Sequence, residues 1–151
     1  EYIDLNEAIE LWVALSFFPS ELPRLKVVFS LVETLPEVFA DGVQIGQEML
    51  NLVRNSITAM KECDVQILTV EATQSEGNVQ VTVHDTGGGI PLDVQKYIFE
   101  PFHTSTTKGM GIGLSLCRSI VEAHSGRIWA QPSTTGAALA FQLPIKGRFD
   151  D

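Results

Sequence analysis

The chain is short of cysteine, of basic residues and of long apolar runs. Its only two cysteines in 151 residues, Cys63 and Cys117, have no C-x-x-C spacing. A disulfide scaffold and a paired-thiolate metal knuckle are thereby excluded, and two free thiols in a reducing compartment are expected. Ten Lys and Arg stand against nineteen Asp and Glu, a formal charge of −9. Such a surface repels phosphate backbones and anionic lipid, so neither nucleic-acid binding nor direct membrane contact is expected. No apolar stretch approaches the roughly 18–20 residues that span a bilayer. Leu11 to Phe18 lacks the basic leader of a signal peptide. Internal repeats, low-complexity tracts, a G-K-[ST] phosphate loop and a histidine pair at metal-ligand spacing are also missing. The chain starts at Glu1 without Met, which reads as one domain, residues 1–151, of a longer protein. A cytoplasmic setting is expected for it, whether or not the parent is membrane-anchored.

What is present suffices for a core, with 44% hydrophobic residues. Asp4-x-x-Glu7 and Asp41-x-x-Gln44 are capping-box arrangements that open helices, the second running to about Lys61. The Pro19 to Pro23 region ends the first helix. Strands are expected at Val27 to Val32, Val38-Phe39, Asp64 to Ala72, Asn78 to Asp85, Arg127 to Ala130 and Ala138 to Ile145. A polar turn, Gln74 to Gly77, joins the third and fourth of these. A short helix is expected near Leu92 to Phe99. A last helix is expected from about Gly113 to Ser125, with Gly126 as its C-terminal cap. The irregular alternation with a hairpin predicts an α+β fold, a two-layer sandwich.

Three segments carry chemistry. On the helix from Asp41 to Lys61, Ile45, Met49, Leu52, Val53, Ile57 and Met60 share one face. Gln47, Asn51, Arg54, Asn55 and Thr58 lie on the other. Asn51 and Asn55 are i,i+4 neighbours whose amides project together. Because Asn is a mediocre helix former, the pair reads as neutral oxygen ligands for a cation or phosphate rather than as a solvated surface. Along Val79 to Asp85 the alternation puts Asp85 inward with Val79, Val81 and Val83. A carboxylate there needs hydrogen-bond donors, and Thr86-Gly87-Gly88-Gly89-Ile90 permits a tight loop beside it. The pair reads as an acceptor for an exocyclic amine such as adenine's. Gly109-Met110-Gly111-Ile112-Gly113-Leu114 exposes successive N–H groups at a helix start, a ready anion site. It lacks the strand and the spacing of a dinucleotide fingerprint. The loop before it, His103 to Lys108, reads as a lid. His124 lies on the apolar stripe of the last helix and reads as a satisfied core histidine, whereas His84 faces outward.

These elements in this order resemble the catalytic and ATP-binding domain of bacterial sensor histidine kinases, whose superfamily includes DNA gyrase and MutL. Gln47 to Met60 resembles the N box, Asp85 to Gly89 and Gly109 to Leu114 the two glycine boxes, and Phe99 to Phe102 the F box. The resemblance implies a Bergerat-type fold, a mixed, mostly antiparallel sheet with helices on one face. It implies ATP and Mg²⁺ as ligands, with Asn55 holding the metal and Asn51 near the phosphates. Asp85 would accept from the adenine amine, and Gly87, Gly89 and Ile90 would shape its pocket. Phe102 to Ile112 would form the lid, with Thr106 and Lys108 in it. Gly109, Met110, Gly111, Ile112, Gly113 and Leu114 would cradle phosphates. Asn51, Asn55 and Lys108 are the catalytic candidates. The implied reaction gives the γ-phosphate to a histidine on an upstream dimerisation domain, with a response regulator downstream. Alternatives are a non-catalytic ATP-binding module and a gyrase-like ATPase switch. The switch needs a carboxylate where Asn51 stands, and Glu48 is a poor substitute.

Overall fold

A computed structural model describes residues 1–95, 97–100, 110–133 and 135–145, with the backbone alone for 110–113. Chain order begins β1 (Tyr2–Ile3), α1 (Leu5–Leu15), a single 3-10 turn (Pro19–Glu21), β2 (Lys26–Leu31) and β3 (Val38–Phe39). It continues with α2 (Gly42–Met60), β4 (Ile67–Ser75), β5 (Asn78–His84), α3 (Leu92–Gln95), α4 (Met110–Ala123), β6 (Arg127–Gln131) and β7 (Ala138–Pro144). Five strands form one sheet in the order β2-β4-β5-β7-β6, and β1 and β3 make a separate two-stranded ladder. Only β2 and β4 run parallel; the other neighbours in the large sheet are antiparallel. The expected α+β sandwich with a mixed, mostly antiparallel sheet is the fold observed.

The strand alternation decides which side the helices cover. Leu68, Val70 and Ala72 of β4, Val79, Val81 and Val83 of β5, and Leu139, Phe141 and Leu143 of β7 are buried together. Each row meets the next across the ladder, as in Val70–Val83–Leu139. Against these rows lie Ile9 and Val13 of α1, Met49, Leu52 and Ile57 of α2, and Cys117 and Val121 of α4. Burying an apolar side chain of this size contributes roughly 1.5–3 kcal/mol, so this one interlayer core holds the sandwich.

Both helix starts expected from the sequence form. Asp4 accepts the Glu7 N–H at 3.4 Å, and Asp41 accepts from Val43 and Gln44 at 3.0 and 3.2 Å. His124 is half-buried rather than deep in the core. Its Nε2 accepts the Asp41 N–H at 3.0 Å and its Nδ1 donates to the Ile120 carbonyl at 2.8 Å. That pairing fixes the neutral Nδ1–H tautomer and ties the end of α4 to the start of α2. The expectation of a satisfied structural histidine therefore holds in chemistry, though not in depth.

The end of α4 corrects one expectation. Ser125, at φ +64°, takes the left-handed position, and the Gly126 N–H closes the cap on the Val121 carbonyl at 2.9 Å. Gly126 is needed one residue later, because a Cβ there would collide with the Gln142 carbonyl oxygen on β7. The α3 helix is also shorter than expected, and α4 begins at Met110 rather than Gly113.

Candidate functional site

Asp85 leaves the end of β5 pointing inward, as the alternation requires, and is 1% exposed. Its Oδ1 accepts the Gly87 N–H at 2.8 Å and the Ala137 N–H at 3.4 Å. The Ser56 hydroxyl of α2 faces the carboxyl and favours its ionised form. Burial pushes the Asp85 carboxyl above its ordinary value, while the Gly87, Ser56 and Ala137 donors pull it back down. Donors on three segments thus hold one carboxyl in place before any ligand arrives.

The loop after Asp85 is fastened at both ends. Thr86 Oγ1 donates to the Val65 carbonyl at 2.7 Å and accepts the Ile67 N–H at 3.0 Å. Gly87 lies so close to α2 that a Cβ would stand 2.8 Å from the Ala59 carbonyl oxygen. Gln95 Nε2 donates to the Ile90 carbonyl at 3.1 Å, which holds the far end. Gly136, at φ +138°, crosses beneath, where a Cβ would strike the Asp85 carbonyl oxygen. The loop and the β6–β7 connection therefore frame Asp85 with backbone alone.

Asn51 and Asn55 are half-buried on α2, in line with a pair that is not an ordinary solvated surface. The Asn51 amide faces the thiol of Cys117 on α4. The Asn55 Oδ1 is buried without a hydrogen-bond partner among the described residues. An orphaned amide oxygen is costly unless something it can ligate comes to it. It is a hard neutral ligand of the kind Mg²⁺ accepts alongside phosphate oxygens and water. The residues present fit that ion, although the described residues contain no cluster of three or more His, Cys, Asp or Glu able to hold a metal without a ligand's help.

The first turn of α4 comprises Met110, Gly111, Ile112 and Gly113, and its leading N–H groups have no intrahelical acceptors. Leu114 is buried at 6% and anchors the turn into the core. Phe102, Thr106, Lys108 and Gly109, like the rest of residues 101–109, lie outside the described residues. Arg54, expected on the same face of α2 as the amide pair, is engaged elsewhere. It grips Glu21 with contacts of 2.7 and 2.8 Å and reaches the Ser16 carbonyl at 3.4 Å. That guanidinium, helped by the Phe18 N–H, holds the Glu21 carboxyl below its usual range.

Sequence reasoning missed Ser56, Gly136 and the Ala137 N–H. Ser56 has a local signal, being a small polar residue among the apolar positions of α2. The other two depend on a loop contributed fifty residues later, which no local pattern reveals. A cavity of about 720 Å³ lies away from these groups, between Phe39, Asp41 and His124 at the far end of α2.

The chain belongs to the histidine kinase-, DNA gyrase B- and HSP90-like ATPase family, whose pattern matches residues 40–147. Its relatives are sensor kinases. It is 39% identical over 142 residues to the sensor protein FixL of Bradyrhizobium diazoefficiens, covering 93% of this chain and 28% of FixL. It is 33% identical over 144 residues to the sensor histidine kinase ZraS of Escherichia coli K12, covering 95% of this chain and 30% of ZraS. The chain thus spans about a third of such relatives or less. Among solved structures it superposes on the nucleotide-free catalytic domain of the histidine kinase ThkA with TM-score 0.84 and 31% identity, over 98% of both chains. ThkA in complex with the response regulator protein TrrA matches with TM-score 0.81 and 30% identity, over 99% of this chain and 42% of that one. The chain is therefore a catalytic domain of the sensor histidine kinase type. No helix among the described residues is long and apolar enough to cross a membrane.

Proposed function

We propose that this domain binds ATP with Mg²⁺ between α2, the Asp85–Ile90 loop and the first turn of α4, and donates the γ-phosphate to a histidine on a dimerisation domain of a longer protein. The observation that carries the reading is the orphaned, buried Asn55 Oδ1, on the helix that also supplies Ser56 to the buried Asp85. Asp85, ionised, accepts from the adenine amine, and the fixed loop from Gly87 to Ile90 sets the base plane. Asn51 and the N–H groups of Met110 to Gly113 orient phosphate oxygens. Asn55 Oδ1 holds the metal, which when bound neutralises phosphate charge. Catalysis by such a site consists of positioning and charge stabilisation, and the chain needs no nucleophile of its own. A response regulator takes the phosphate onward, a role in line with the ThkA complex.

A water-activating ATPase is less well supported. Asn51 is an amide, and Glu48, the acid of α2, is fully buried, which raises its carboxyl well above the ordinary glutamate value. The deciding experiment is reconstitution with a separate histidine-bearing dimerisation domain and γ-labelled ATP. Label on that domain's histidine is expected, and Asn55→Ala should reduce it by about 100-fold or more. ATP binding without transfer would replace the kinase reading with a non-catalytic module.

A further inference from the structure

The inward side of α2 carries an acid for which phosphoryl transfer has no use. Glu48 is 0% exposed, and both of its carboxyl oxygens lack hydrogen-bond partners among the described residues. It lies one turn before Asn51 and two turns before Asn55, on the strip of α2 that continues into the nucleotide site. Among the described residues no cation pairs with it. α4 presents Leu114, Cys117, Ile120 and Val121; α1 presents Leu5, Ile9 and Val13; the β1–β3 ladder presents Ile3 and Val38. The covered rows of β4, β5 and β7 are entirely Leu, Val, Ala and Phe. Cys117 is the one titratable group among these. Its thiol donates to the Glu48 main-chain carbonyl at 3.5 Å, and burial pushes the thiol up.

We propose that Glu48 is a proton-binding site that couples the seating of α4 on α2, and with it nucleotide affinity, to pH. With the carboxyl protonated, the two helices close over it and the first turn of α4 stands at the phosphate end of the site. Ionised, the carboxylate must reach water, and α4 has to lift from α2 to admit it. Even the neutral acid goes without partners in the closed arrangement, so the gap to a hydrated arrangement is narrow, as a switch requires. The direction of the effect follows from burial, which raises the carboxyl well above the ordinary glutamate value. The folded form then binds the proton more tightly than the unfolded chain. Stability is complete below the ordinary value and is lost as pH rises toward the raised one. The link to nucleotide affinity rests on the ATP site proposed above; the proton site itself does not.

The test compares urea unfolding of the wild-type domain and Glu48→Gln from about pH 5 to about pH 9, with ATP dissociation constants at saturating Mg²⁺ over the same range. The wild-type midpoint should fall as pH rises while that of Glu48→Gln stays level. Wild-type ATP affinity relative to the variant should fall by up to about tenfold per pH unit once Glu48 ionises. Parallel urea profiles overturn the proton site. Diverging urea profiles with a constant affinity ratio overturn the coupling. If neither protein binds ATP, the functional reading fails while the urea pair still decides the proton site. If Glu48→Gln does not fold, an NMR titration of the wild-type Glu48 carboxyl decides instead: ionisation near the usual value of about 4.3 overturns the proposal, and a proton retained above about pH 6 supports it.

Discussion

Asp85 shows how one residue is prepared by its neighbours. Two backbone N–H groups and the Ser56 hydroxyl converge on its carboxyl, and burial works against all three by favouring the protonated form. The proposed adenine contact needs the ionised form, so ATP affinity should fall as pH drops through the raised Asp85 value. Ser56→Ala removes one of the opposing donors and should shift that fall to higher pH, measured with a fluorescent nucleotide. Asp85→Asn keeps the shape but replaces an ionised acceptor with an amide. It should weaken ATP binding by about 10–100-fold, the usual worth of a hydrogen bond to a charged group. Wild-type affinity in Asp85→Asn would remove Asp85 from the adenine site. The inward aim of Asp85 was legible from the strict alternation of Val79, Val81 and Val83. Its donors were not, since Ala137 and Gly136 arrive from a connection that only the closed sheet brings near.

At the scale of elements, short-range chemistry was read well and long-range geometry poorly. The two Asp caps fall where the sequence put them, because a cap is satisfied within three residues. The parallel pairing of β2 with β4 and the two-residue strand β1 carry no local signature, since each depends on a partner across the fold, whereas β3 forms at Val38–Phe39 as expected. The cap of α4 was misread for a related reason. Gly126 serves contact with β7, and Ser125 bears the left-handed strain. Gly126→Ala should therefore cost about 2–3 kcal/mol, seen as a Tm lowered by roughly 5–10 °C. The β4–β5 hairpin turns on Glu76 and Gly77, at φ +48° and +82°. A glutamate is poorly suited to that region, and Glu76→Asn should stabilise by a few tenths to about 1 kcal/mol, read from the urea midpoint. Gly136→Ala combines both effects. It should lower Tm and also displace Asp85, so that nucleotide binding is lost even at temperatures where the domain stays folded.

For the whole molecule, the acid excess and the proposed polyanionic ligand pull in opposite directions. Ten cations serve 151 residues, and Arg54, the cation closest in sequence to the amide pair, is committed to Glu21. In the proposed site, attraction for phosphate rests on the open N–H groups of α4 and on a metal carried in with the nucleotide. The −9 surface then acts as a filter against bare polyanions. This is the central claim, and calorimetric titration of the domain with ATP, with Mg²⁺ and with the metal chelated, tests it most directly. The account predicts that chelation weakens binding by about tenfold or more, and that Asn55→Ala removes the difference. Equal affinity with and without the metal would contradict it.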